Sequence, residues 1–230
     1  MLKNPFSELK KHEWILWSIS MTVVLVSNFV SKDIQLVTML ATLIGVTALI
    51  FVAKGNVWGQ IFTVIFSVLY SITSFEFRYY GEIITYLGMS APIAALSVIS
   101  WLRNPYKKGK NEVKIRHLKA RDVVLCVVLT LSVTVVFYFI LRALGTPNLL
   151  VSTVSITTSF LASYLMFMRN SYYALAYAAN DIVLVTLWIL ATFESLSYLP
   201  MVACFAIFLV NDIYGFASWK IREKKQESGE

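Results

Sequence analysis

Two Asn-Asp pairs, Asn180-Asp181 and Asn211-Asp212, stand inside otherwise apolar stretches near the end of the chain. A carboxylate at the centre of a bilayer costs roughly 2.5–3.5 kcal/mol even on insertion scales, so it normally faces a partner, a cavity or a solute. At helical spacing Tyr173, Tyr177, Asp181, Leu184 and Trp188 form one stripe. Asn211, Gly215 and Trp219 form a second, with Tyr214 beside it, and Gln60, Thr63, Ser67 and Tyr70 form a third earlier in the chain. Amides, hydroxyls, aromatic faces and carboxylates together suit a flat-ringed solute bearing hydroxyls. A cationic ring suits them best, because carboxylate and cation–π attraction add in a low dielectric. No Lys or Arg lies in the middle of these stretches, which disfavours a phosphorylated or carboxylated solute.

Positioning such groups requires membrane helices. The 230 residues are 58% hydrophobic and 14% charged, with mean hydropathy +0.70. Soluble domains run near 25% charged, so the composition indicates an all-α polytopic membrane protein. Eight segments have the length needed to cross about 30 Å of hydrocarbon: 14–30, 34–54, 57–73, 80–102, 121–144, 149–168, 171–191 and 195–219. With a cytoplasmic N-terminus, 17 of the 20 basic residues fall inside, leaving Lys32, Arg78 and Arg142 outside. That asymmetry satisfies the positive-inside rule and puts both termini in the cytoplasm. The net charge of +7 lies between segments rather than on one patch, so nucleic acid is not an expected partner. Met1 to Glu13 is polar, and no cleavable signal peptide is expected.

Segments two to four resemble segments six to eight. Lys54-Gly55-Asn56 matches Met168-Arg169-Asn170 at an offset of 114, with Thr38 on Ser152 and Gly45 on Ser159. Phe75-Glu76 matches Phe193-Glu194, and Trp101 matches Trp219, at an offset of 118. Because the triplets start four helices apart, the repeats are parallel, and segment five links them in a 3+1+3 plan. The expected division is 1–33 (N-terminus and peripheral helix), 34–102 (repeat 1), 103–148 (basic loop and linker helix), 149–219 (repeat 2) and 220–230 (tail).

Plainer roles compete at several positions. Asn180 and Asn211 could be interhelical hydrogen-bond glue, and Asp212 could be held by Lys220 or Arg222. Tyr80, Trp14, Trp17 and Trp101 fit an interfacial belt, and Trp188 fits either belt or site. The Thr38-Thr42-Gly45 and Ser152-Ser155-Ser159-Ser163 stripes fit close helix packing. Gly88 and Pro92 predict a kink in segment four. The run 107–121 reads as a solvated loop near anionic lipid. His12 and His117 lie in charged loops. Cys126 and Cys204 have neither metal-ligand nor disulfide spacing. No catalytic motif is present, so neither an enzyme, a metal site nor a cofactor is expected.

The turn Tyr80-Gly81-Glu82, the run 164–170 leading into Tyr177-Ala178-Ala179-Asn180-Asp181, and the closing Tyr214-Gly215-Phe216-Ala217-Ser218-Trp219 resemble the PnuC family of vitamin transporters over about residues 34–222. The resemblance implies a 3+1+3 architecture related to the SWEET sugar transporters, a bacterial cytoplasmic membrane location, and nicotinamide riboside as solute. It further implies facilitated diffusion, with a cytoplasmic kinase trapping the riboside by phosphorylation. Where that family often carries Trp-x-x-Trp, this chain has Tyr173 and Tyr177, and some relatives carry thiamine or riboflavin instead. The expected substrate-binding set is Gln60, Ser67, Tyr70, Tyr177, Asn180, Asp181, Trp188, Asn211 and Tyr214, with Asp212, Trp101 and Trp219 as gate candidates. Its expected partners are a vitamin, the bilayer and the kinase. Homo-oligomerisation stays open, as do thiamine transport and a non-transporting membrane scaffold.

Overall fold

The computed structural model describes residues 4–30, 35–76, 80–107, 111–146 and 148–229. Lys3, Lys32, Arg78, Lys108 and Lys110, all counted in the charge balance, lie outside the described residues, as does the Glu76 side chain. The helices are α1 (Lys11–Val30), α2 (Leu36–Ala53), α3 (Val57–Glu76), α4 (Tyr80–Arg103), α5 (Ala120–Ala143), α6 (Leu149–Phe167), α7 (Tyr173–Thr192) and α8 (Leu199–Ser228). All eight contain stretches long and apolar enough to cross a membrane. Only isolated bridges, Asn56 with Glu112 and Pro105 with Val113, represent extended pairing among the described residues. One expectation needs correction: α8 does not stop at Trp219 but continues to Ser228.

Burial separates the bundle from its lining. Over an 18-residue stretch 61% of α2 is buried against 11% of α5, so α2 is central and the linker helix is peripheral. Small residues let the central helices approach: a Cβ at Gly45 would lie 2.5 Å from Phe208 Cζ and 2.9 Å from Phe66 Cδ2. The α2–α3 turn is tighter still, because a Cβ at Gly59 would run into the Val52 backbone nitrogen.

The two matched turns share one geometry. Gly55 (φ +63°) and Arg169 (φ +59°) are both left-handed. Each closes its helix with the same pair of bonds: Gly55 N–H to Val52 O (2.8 Å) with Asn56 N–H to Phe51 O (2.9 Å), and Arg169 N–H to Met166 O (2.9 Å) with Asn170 N–H to Leu165 O (3.0 Å). This is the Schellman closure of a helix C-terminus. Asn56 Oδ1 then accepts from Trp58 N–H and Asn170 Oδ1 from Tyr172 N–H, each at 3.1 Å, to start the next helix.

The tryptophans cross between the repeats. Trp219 donates from Nε1 to Val52 O (2.8 Å) and Trp101 to Met166 O (3.3 Å), and their ring centroids lie 5.7 Å apart. Trp101 is therefore buried, not a belt residue, whereas Trp14 and Tyr80 are exposed as a belt requires. The basic connection is likewise not a free loop. It runs as a strap whose Val113 N–H binds Gly55 O and whose Arg116 N–H binds Arg169 O, both at 2.9 Å. The extension of α8 packs on the strap through Arg222–Glu112 (2.9 Å) and Gln226 Oε1, which accepts from Ile115 N–H (2.8 Å).

Helix α4 is broken as expected, but by a π turn over Tyr86–Ser90, where Ala91 N–H binds Tyr86 O. Pro92 has no N–H to give the carbonyl of Gly88 four residues back, and a wider turn accommodates the gap. Two glycines should consequently behave in opposite ways. Gly59→Ala should lower stability by about 2 kcal/mol or more through its backbone clash, whereas Gly88→Ala, whose nearest new neighbour would be Ile84 at 3.7 Å, should be tolerated. Thermal unfolding of the two variants in the same detergent measures the difference.

Candidate functional site

A cavity of about 60 Å³ lies inside the bundle, walled by α2, α3, α4, α6, α7 and α8. Its polar lining comprises Thr63 and Ser67 of α3, Ser90 of α4, Ser159 of α6, Tyr177, Asn180 and Asp181 of α7, and Asp212 of α8. Phe66, Tyr86, Phe205 and Phe208 supply aromatic walls. No Lys or Arg is among the lining residues. Two carboxyls without a lining cation favour a cationic over an anionic guest.

Helix α6 holds two of these side chains. Asn180 Oδ1 accepts from Thr158 Oγ1 (2.8 Å) and Ser159 Oγ (2.9 Å), which pins the amide oxygen to α6 and leaves the NH2 as the group free to donate. Tyr177 OH pairs with Ser163 Oγ at 3.0 Å. The serine stripe of α6 thus does more than allow close packing. Asp181 Oδ2 is buried without a protein partner. Asp212 is not held by the basic residues below it, because Lys220 binds Glu223 (2.7 Å) and Arg222 binds Glu112 (2.9 Å). A smaller chamber of about 10 Å³ shares Ser90, Met166 and Tyr177 with the first and adds Gln60, whose Nε2 is also unpartnered.

The structure thus brings Ser67, Tyr177, Asn180, Asp181 and Asp212 together, with Gln60 next door. Other expected residues lie elsewhere. Asn211 points to α1, donating from Nδ2 to Ser20 Oγ (3.1 Å) and to Ile207 O (2.9 Å), so the plainer role as interhelical glue describes it. Tyr214 also faces α1, its OH donating to Glu13 Oε1 at 3.1 Å. Trp101 and Trp219 close the floor with Tyr173, whose ring centroid is 4.7 Å from that of Trp219. Tyr70 and Trp188 belong to a roof at the opposite end, where Trp188 Nε1 donates to Tyr70 OH (3.1 Å). Trp188 is fully buried there, so the interfacial-belt alternative does not hold.

Three charged residues were missed. Glu82, read as part of a turn, is a buried helical residue accepting from Tyr70 OH at 3.3 Å. Glu13 and Lys54 form a buried ion pair of 2.6 Å that ties α1 to the end of α2. Lys54 stood out in the sequence as a positive charge and as part of the repeated turn, but nothing in the segment pattern aimed it at Glu13.

Comparison with known proteins matches residues 35–221 to the family described as nicotinamide mononucleotide transporter. The chain belongs to this family of transporters. A curated relative from Neisseria mucosa, named nicotinamide riboside transporter PnuC, is 26% identical over 94% of this chain and 82% of its own length. A relative of the same name from Haemophilus influenzae is 22% identical, covering 95% of this chain and 94% of the relative. A solved structure described as the vitamin B3 transporter PnuC superposes with a TM-score of 0.82 at 23% identity, covering 95% of this chain and 94% of that one. The two share the eight-helix fold, and the chain is a multi-pass membrane protein.

Family membership leaves the role of the Glu13–Lys54 pair to be tested on its own chemistry. Lys54→Met should strand a buried carboxylate and cost on the order of 3–5 kcal/mol, while Glu13→Gln combined with Lys54→Met should recover most of that loss. Thermal unfolding of these two variants and of Glu13→Gln alone, in detergent, measures the cycle.

Proposed function

We propose that the chain carries nicotinamide riboside across the bacterial cytoplasmic membrane by facilitated diffusion. The observation that carries this reading is the pairing of Asp181 and Asp212 with Asn180 in one enclosed cavity without a lining cation. Nicotinamide riboside has a cationic pyridinium, a carboxamide and a hydroxylated ribose. The carboxyls suit the ring charge, the NH2 of Asn180 and the hydroxyls of Ser67, Ser90 and Tyr177 suit the ribose and amide, and the aromatic walls suit the ring face. A mononucleotide would bring its phosphate against two carboxylates with nothing to neutralise it. The riboside named for the curated relatives fits better than the mononucleotide of the family description.

The strap end carries most of the basic residues, so by the positive-inside rule we assign that end, and with it both termini, to the cytoplasm. Trp101, Tyr173 and Trp219 then form the inner closure, and Tyr70, Tyr86, Trp188 and Phe205 the outer one. At about 60 Å³ the cavity holds roughly two waters, at about 30 Å³ each, so a riboside enters only after its lining swings apart. No energy source is needed for equilibration. A cytoplasmic kinase that adds a phosphate would trap the solute, because the same carboxylates exclude the product.

Uptake into proteoliposomes tests this. Labelled nicotinamide riboside should equilibrate saturably without an ion gradient, and failure to do so removes the proposal. Unlabelled thiamine should compete poorly; strong competition would move the assignment to that vitamin. The chemistry of recognition is tested by charge. A cation about 4 Å from a carboxylate gains roughly 4 kcal/mol at an effective dielectric of 20, most of it offset by desolvation. Asp181→Asn and Asp212→Asn should therefore each raise KM for the oxidised riboside about tenfold or more. The reduced riboside, whose ring is neutral, should change much less.

A further inference from the structure

We propose that Glu82 is a positioning residue that latches the end of the bundle opposite the strap, holding Trp188 across the boundary between the repeats through Tyr70. Glu82 is 4% exposed, and among the described residues no cation pairs with it. An acid so placed in a membrane bundle is costly and needs compensation. Its partner is the Tyr70 hydroxyl, which donates to Glu82 Oε2 (3.3 Å) while accepting from Trp188 Nε1 (3.1 Å). The hydroxyl proton is committed to α4 and a lone pair to α7, so the chain of bonds has one direction and joins the first repeat to the second. Removing the acceptor at its end leaves the Tyr70 proton without a fixed partner, so the hydroxyl turns freely and its hold on Trp188 weakens.

The bonds bear on the cavity. The Tyr70 ring lies 4.2 Å from Tyr86 and 5.7 Å from Phe205, centroid to centroid, and both of those residues line the cavity. Trp188 stands seven residues above Asp181 on α7, about two turns along the same face. Glu82 itself sits on the short first half of α4, which the π turn at Tyr86–Ser90 sets apart from the rest. Swinging that half about the π turn breaks the bond to Tyr70, withdraws Tyr86 and uncovers the cavity from above.

Cys204 offers a native reporter. It is fully buried in the same roof cluster as Tyr70, Tyr86, Trp188 and Phe205. The full chain carrying Cys126→Ser, in lipid nanodiscs, is treated with a charged methanethiosulfonate reagent and labelling of Cys204 is timed. The background protein should label slowly, and Glu82→Leu and Tyr70→Phe should each label about tenfold faster. Their combination should be no more than about twofold faster than either alone, because both cut one chain. Glu82→Gln, whose amide oxygen still accepts from Tyr70, should stay near the background rate. Native-rate labelling of Glu82→Leu and Tyr70→Phe overturns the latch, as does multiplication of their effects or a Gln variant as fast as Leu. Should Glu82→Leu not fold, by size-exclusion and thermal unfolding, Tyr70→Phe and Trp188→Phe carry the same comparison. The latch serves the transport reading above, but labelling requires no substrate: loss of riboside uptake would remove that reading and leave this one, and the converse holds.

Discussion

Inside a bilayer no water is at hand for the carbonyls that a helix leaves unpaired at its C-terminus. The carbonyls of Val52 and Met166 meet this constraint in the same way. Each accepts from the amide of its own turn and from the indole of a tryptophan in the other repeat. The Val52 carbonyl also receives Tyr173 OH at 3.4 Å. One acceptor thus fixes the end of α2, the start of α7 and the lower part of α8. Asp181 lies eight residues beyond Tyr173, and Asp212 seven before Trp219, so the positions of both acids follow from bonds made to the first repeat's backbone. The strap repeats the device from outside by binding the two left-handed residues, Gly55 and Arg169.

The resulting site is unequal in its halves. The second repeat supplies both carboxyls and the Asn180 amide, while the first supplies hydroxyls and aromatic rings from Thr63, Phe66, Ser67 and Tyr86. Repeat geometry is therefore conserved within the chain where backbone groups must be satisfied and is free to diverge where side chains face the cavity. Gly45 illustrates the coupling of the two demands: its missing side chain is what admits the rings of Phe66 and Phe208, one from each repeat, above the acids.

The membrane helices were legible because bilayer thickness imposes a length and an apolar composition on each segment. The repeat was legible at Lys54-Gly55-Asn56 and Met168-Arg169-Asn170 because a left-handed helix end followed by a capping Asn has a sequence signature. Ser67, Tyr177 and Asp181 stand on the stripes that helical spacing marks, and Asn180 is the other half of the pair that holds Asp181. Asn211 and Tyr214 could not be separated from them, for a physical reason. Neighbouring residues on a helix point about 100° apart, so Asn211-Asp212 is not a unit: Asp212 faces the cavity and Asn211 faces α1. Which face meets a helix lying outside the repeats is a tertiary fact that no stripe contains. Glu82 was hidden differently, since a helix that starts near a glycine and breaks again at Tyr86 shows too few turns to reveal which side is buried.

The two ends of the bundle are closed by bonds of different kinds. At the strap end, indoles bind backbone carbonyls, the strap adds backbone bonds to both repeats, and α8 adds Arg222–Glu112 beneath. At the other end, among the described residues, side-chain bonds run from Trp188 through Tyr70 to Glu82, set in packed aromatic rings. A neutral side-chain bond contributes about 1 kcal/mol net, and one to a charged group about twice that. Backbone acceptors cannot turn away without unwinding a helix, whereas a tyrosine hydroxyl releases both partners by one rotation. The end held by side chains is thus the end with the lower barrier to parting. A transporter needs such an end, because a cavity sealed equally hard on both sides would exclude its solute as well as water.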